Sequence, residues 1–178
     1  MVTSRNKGFT IVELLIVVVV IGILAAIVTV AYTGITTNAK DTRRQNDMAS
    51  IVKALMLYNV QVGLFPGSSN NTASGWETSG INPDQFLDDL RIQGIIGGAT
   101  PVDPVNIPIG TTNGGTVYNY YRYGPGSYGC DSTRGGFFVL GVKDMETSGN
   151  PHPKSPGFAC GTRNWQPEFD WVTGSFES

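Results

Sequence analysis

At 178 residues the chain has room for one membrane segment and one modest domain. Its formal net charge is -2, and residues 63–178 carry six Lys/Arg against eleven Asp/Glu, a balance poorly suited to gripping the phosphates of nucleic acid. With one histidine and no Ser/His/Asp set, metal-spaced His/Cys cluster, P-loop or G-x-G-x-x-G helix start, the sequence offers no catalytic apparatus and calls for no cofactor.

Two basic residues, Arg5 and Lys7, stand just ahead of Gly8. Phe9 to Tyr32 is then a 24-residue apolar run interrupted by one acid, Glu13. As a helix it is about 36 Å long, enough to cross a hydrocarbon core of about 30 Å. It exceeds the 7–15 apolar residues usual in a cleavable secretory signal, and its expected cleavage site lies ahead of the run rather than behind it. The flanking cations (Arg5 and Lys7 before, Lys40, Arg43 and Arg44 after) nearly balance, so they do not set an orientation. A carboxylate inside such a run costs about 2.5–3.5 kcal/mol at mid-bilayer, which makes Glu13 a functional candidate. It also has a local role available, because Thr10-x-x-Glu13 is a capping box and an acid in the first turn complements the helix dipole. Gly22 and Ala26 form a small-xxx-small pair that lets helices approach closely.

From residue 33 the helical pattern continues but becomes one-sided. Ile51, Leu55, Tyr58 and Val62 fall on one stripe, widened by Met48 and Val52. Lys40, Asp41, Arg43, Arg44 and Asp47 read as mostly solvated surface, and Gly63 and Pro66 end the helix. A single helix over 9–62 is about 80 Å long.

All ten prolines and 20 of the 23 glycines lie beyond residue 62, which marks a loop-rich, β-containing domain over 63–178. Ile81-Asn82-Pro83-Asp84-Gln85-Phe86 predicts a helix start, with Asn82 as cap, Pro83 in the first turn, Gln85 closing a capping box and Ile81 stapled to Phe86. That helix is short and ends near Leu90. Aromatic and β-branched residues predict strands at 116–123, 136–143 and 169–176, so that three or four antiparallel strands lie against the helix stripe in an α+β fold. Tyr118, Tyr120, Tyr121 and Tyr123 then supply strand-core packing and one tyrosine-lined face, which explains them more cheaply than stacking on single-stranded DNA. Cys130 and Cys160, an even pair in an exported domain, predict a disulfide that stabilises by about 3.5 kcal/mol in the chain-entropy model. Asp131, Asp144, Glu146 and Asp170 lack EF-hand spacing and read as solvated acids rather than calcium ligands, and His152 reads as surface.

Gly8-Phe9-Thr10-Ile11-Val12-Glu13, behind a basic leader and ahead of an unbroken apolar stretch, resembles the class III signal of type IV pilins and pseudopilins. A weaker likeness covers residues 51–67, similar to the helix end and Phe-Pro turn of many members, and Pro101-Val102-Asp103-Pro104, similar to their loop into the first strand. The resemblance implies a leader of residues 1–8, a membrane and filament-core helix over 9–32, an amphipathic helix over 33–62 and a head over 63–178. It implies cleavage after Gly8 by a prepilin peptidase and methylation of the new Phe9 amine, which takes the formal charge from -2 to -4 as Arg5 and Lys7 leave. It further implies residence as a single-pass subunit in the cell membrane. A cytoplasmic ATPase and a membrane platform protein then drive assembly into an extracellular filament of self or mixed subunits. In the family the acid matching Glu13 pairs with the terminal amine of a neighbour. Many members carry a proline near position 30 of this numbering; Val30 here departs from that, leaving Gly22 and Gly34 as the weakest points of the helix.

The chemistry of the pairing follows from the residues. After cleavage the Phe9 amine and the Glu13 carboxylate are the only charged groups in residues 9–39, each costly alone in low dielectric and much less so paired. An axial slip of one turn separates them, so pairing selects one stagger. Three functions remain open from sequence: a pilus subunit, a pseudopilin of a type II secretion or DNA-uptake machine, and a signal-anchored surface binding protein that never polymerises.

Overall fold

The structure, a computed structural model, describes residues 8–68, 75–107, 115–147 and 149–178, so Arg5 and Lys7 lie outside the described residues. Helix α1 (Ile11–Val62) is unbroken, and Gly22 and Gly34 sit within it without interrupting it. The chain divides into two compact units, Met1–Ala39 and Lys40–Ser178.

In the first unit the helix is apolar on every side. Its most apolar 18 residues have a mean hydropathy of 3.3 and none of them is buried. The polar residues towards the end of this unit are satisfied by the helix itself. The hydroxyls of Thr29, Thr33 and Thr37 donate to the carbonyls of Ala25, Thr29 and Thr33, and the Asn38 amide donates to that of Gly34 at 2.7 Å. Such back-bonding lets a threonine-rich stretch continue a helix without leaving donors bare.

The second unit is built on a four-stranded antiparallel sheet in the order β1 (Glu77–Thr78), β2 (Tyr118–Tyr123), β3 (Phe137–Val142), β4 (Trp171–Phe176). The three longer strands fall within two residues of the sequence expectation. Register pairs Tyr118 with Val142 and Val142 with Trp171, and period-2 alternation then sorts the side chains onto two faces. Tyr118, Tyr120, Phe138, Leu140 and Val142 meet Met48, Ile51, Leu55 and Tyr58 of α1 in the main core. Full burial of each such side chain stabilises by about 1.5–3 kcal/mol. Val62, placed by sequence on this stripe, is exposed instead, as the last residue of α1 before Gly63 turns the chain with a positive φ.

The opposite face corrects the expectation of a tyrosine-lined surface. Tyr123, Phe137, Val139 and Val172 are covered by Trp165 and Phe169, with Trp76, Tyr121, Phe158 and the two cysteines alongside. The rings lie so close to the sheet that Gly141 and Gly174 have no room for a side chain. A Cβ on Gly141 would meet the Phe169 ring at 2.7 Å, and one on Gly174 would meet the Phe158 ring and the Phe138 carbonyl at 2.6 Å. Cys130 and Cys160 form the expected disulfide, with 4.9 Å between their Cα atoms.

Three other features position the sheet. Glu177, just beyond β4, accepts from the amides of Phe65 and Gly136 and pairs with Arg122, tying the end of α1 to two strands. Beside β4, His152 N donates to the carbonyl of Asp170, just before the strand, at 2.7 Å, and Gly157 N donates to Val172 O within it at 3.0 Å. His152 is therefore 7% exposed rather than a surface side chain, and its Nδ1 accepts from Lys154 N. The helix expected from Asn82 is a single 3-10 turn, Pro83–Gln85, followed by a separate short helix α2 (Asp89–Ile92). Asn82 makes no capping bond and Ile81 is exposed, because Leu87 adopts a positive φ of 51° between the two turns, where its amide donates to the buried Glu77 carboxylate.

Candidate functional site

Gly8 and Phe9 precede α1, and Phe9 is 83% exposed. Thr10 and Glu13 form the reciprocal box that their spacing predicts. Thr10 N and Oγ1 both donate to Glu13 Oε2 at 2.8 Å, and Glu13 N donates to Thr10 Oγ1 at 3.2 Å. The box satisfies donors that a helix start otherwise leaves bare. It also folds the carboxylate back onto Thr10, the residue that follows Phe9. Among the described residues Glu13 Oε1 accepts no hydrogen bond, so one oxygen remains for an outside donor. Leu14, Ile16, Val17, Val18 and their successors to Val28 are exposed around it. The site is thus a half-satisfied carboxylate at the head of an uncovered apolar helix.

Gly22 and Ala26 are exposed on the same helix, and a Cβ on Gly22 would meet nothing within 4 Å. Cys130 and Cys160 are brought together, as described, on the far face of the sheet.

The charged run at the start of the second unit is where sequence reasoning misplaced residues. Arg44 is fully buried and Asp41 nearly so. Arg44 Nε donates to Asp103 Oδ2 at 2.8 Å, Nη2 to Asp103 Oδ1 at 3.2 Å and Nη1 to Asp41 Oδ1 at 2.9 Å, while Glu146 stands at 3.5 Å. Asp41 in turn accepts from the amides of Glu146 and Thr147, and Asp103 from those of Val105 and Asn106. Two loops are thereby fastened to one helix. Burial acts to raise the Asp41 carboxyl, but the bonds from Thr147, Glu146 and Arg44 outweigh it and hold the group below the ordinary carboxylate range. The signal for this cluster was an Asp between prolines, Pro101-Val102-Asp103-Pro104, which has no pattern that points to a helix sixty residues upstream.

The other acids have local duties. Asp131 caps a turn through Thr133 N, Glu146 pairs with Lys40 at 3.2 Å, and Asp170 accepts from Met145 N. Among the described residues no group of three or more His, Cys, Asp or Glu is gathered in a way that could hold a metal. Tyr118 and Tyr120 are buried with their hydroxyls donating to Asp47 and to the Pro66 carbonyl, so they present no stacking face.

Comparison with known proteins agrees with this geometry. Residues 3–29 match the family model of the prokaryotic N-terminal methylation motif. The chain is 30% identical over 138 residues to type II secretion system core protein G of Pseudomonas aeruginosa, covering 74% of this chain and 89% of that protein. It is 31% identical over 90 residues to a fimbrial protein of Neisseria meningitidis, covering 51% of this chain and 52% of the relative. It is 40% identical over 72 residues to the type IV major fimbrial protein FimA of Dichelobacter nodosus, covering 40% and 44% respectively. The chain thus spans about half the length of these fimbrial relatives and most of protein G. No solved structure matches it significantly. The methylation motif, the half-satisfied Glu13 at the head of an uncovered helix, and similarity running through most of protein G together show that this chain belongs to the type IV pilin family, pseudopilins included.

Proposed function

We propose that this chain is a structural filament subunit, cut after Gly8, N-methylated on Phe9 and polymerised through α1 into a type IV pilus. The observation that carries the reading is the Thr10–Glu13 box with one carboxylate oxygen free on an exposed apolar helix. Cleavage turns the Phe9 amide into an amine, a strong donor in a place where Glu13 has an unused acceptor. Within one subunit the box occupies Oε2; the amine of a neighbour takes Oε1. Pairing across subunits removes two bare charges from low dielectric and fixes the stagger between helices, so it serves register more than stability. Gly22 and Ala26 let those helices approach. Before assembly α1 anchors the subunit as a single-pass protein in the cell membrane, where a prepilin peptidase processes it and a platform protein with its cytoplasmic ATPase drives assembly. The subunit itself performs no catalysis.

The alternative within the family is a pseudopilin, and the 89% coverage of protein G favours it. Mass spectrometry of sheared surface appendages tests the main reading: an abundant species beginning at N-methylated Phe9 is expected. The same species confined to the envelope, with a secretion defect on deletion, selects the pseudopilin. Full-length chain alone in the membrane fraction selects a non-polymerising surface anchor. Changing Glu13 to Ala should leave membrane insertion intact and reduce filaments at least tenfold; normal filament abundance would remove Glu13 from the mechanism.

A further inference from the structure

The second unit carries a knob and a hole on opposite flanks of one helix. The hole is a cavity of about 140 Å³ lined by Ser50, Ile51 and Ala54 of α1, Leu90 of α2, Ile96 and Pro101. Its size suits one apolar side chain, since engineered cavities of about 150 Å³ accept benzene. Ser50 adds no polar demand, because its hydroxyl is turned back to the Asn46 carbonyl at 2.9 Å. The knob is Val60, 82% exposed, with Leu57 beside it at 56%. At about 100° per residue, Ala54 and Ile51 lie about 40° and 100° to one side of Ser50, and Leu57 and Val60 about 20° and 80° to the other.

We propose that the cavity receives Val60 of a second copy of this chain, lying parallel alongside and displaced by six to ten residues, roughly 9–15 Å along the helix, with Leu57 at its rim. Knob and hole on opposite flanks make a contact between unlike surfaces. Each copy that fills its neighbour's hole leaves its own open for the next, so the contact propagates without closing. Charge agrees with this occupant. Lys53 shares the knob flank, while Asp88 and Asp89 immediately precede Leu90 at the hole. The proposal rests on the filament reading, which supplies parallel neighbours, and it adds a second contact outside the membrane segment.

The test uses the full-length chain with Ser50→Cys and Val60→Cys together. Ten helical residues separate the two positions, about 15 Å, too far for a bond within one chain. Mild oxidation of sheared filaments should give a ladder of multimers that collapses on reduction, and each single variant should stay monomeric. Filaments at normal abundance with no ladder would overturn the proposal, as would equal dimer formation by Val60→Cys alone, which indicates a symmetric contact. Val60→Asp should lower filament yield at least tenfold with the membrane level of subunit unchanged, and an unchanged yield again counts against it. The filament reading fails separately, if the unmodified chain gives no filaments at all.

Discussion

Removing the Arg44 guanidinium would strand Asp103 and Asp41 in a space closed to water. Arg44→Met keeps most of the side chain's volume, so the loss is electrostatic rather than a cavity. We expect the second unit to lose about 3–5 kcal/mol, the usual consequence of breaking a buried pair from one side, read as a shift in denaturant midpoint. Asp41 carries the corresponding acid sensitivity. Its carboxyl is held below the ordinary range, so its contribution is fully present above the unfolded value of about 3.9 and is lost as pH falls through the lower folded value. Unfolding measured at pH 7 and pH 3 should therefore show a shallower acid loss in Asp41→Asn than in the unaltered chain. The sequence marked these residues as charged and helical but could not tell that they were inside. Helical spacing reports which residues share a face; it does not report that a loop sixty residues away brings the matching carboxylate. Glu13 was the opposite case, legible because both partners of its box lie within one turn.

At the scale of elements, the strands were legible because aromatic and β-branched residues gather there and glycines and prolines bracket them. The second cover of the sheet was not, because Trp165, Phe158 and Phe169 sit in irregular chain with no period to betray a buried face. The two glycines inside strands were its trace in the sequence, since glycine in a strand marks close approach by something bulky. Gly141→Ala should cost about 1–3 kcal/mol through displacement of the Phe169 ring, and Gly174→Ala more, because the Phe138 carbonyl it meets cannot rotate away. Thermal unfolding of both variants beside an alanine substitution at exposed Gly67 would check the ordering. The misread segment after Asn82 has a related cause. Its capping pattern is sound locally, yet the buried Glu77 carboxylate claims the Leu87 amide and a positive φ interrupts the helix.

For the molecule as a whole, the two units answer to different solvents. Lys40–Ser178 buries its own helix stripe against its own sheet, whereas the apolar run of the first unit is uncovered. A chain beginning near Lys40 should therefore be soluble and monomeric at micromolar concentration by light scattering, while the full-length chain should require detergent. The division into apolar anchor and mixed head was visible in composition, since proline and most glycine are confined to one side of residue 62. On the proposed reading the chain polymerises through a helix, and the hazard of that role is polymerisation through the sheet instead. Here one sheet edge is β1, only two residues long, and along the other, β4, the amide and carbonyl of Val172 are already engaged by Ser155 and Gly157. Neither edge offers the long bare template on which amyloid-like stacking grows. Under the proposed role, subunits crowded at high local density in a membrane would thus wait for ordered addition without seeding a disordered alternative.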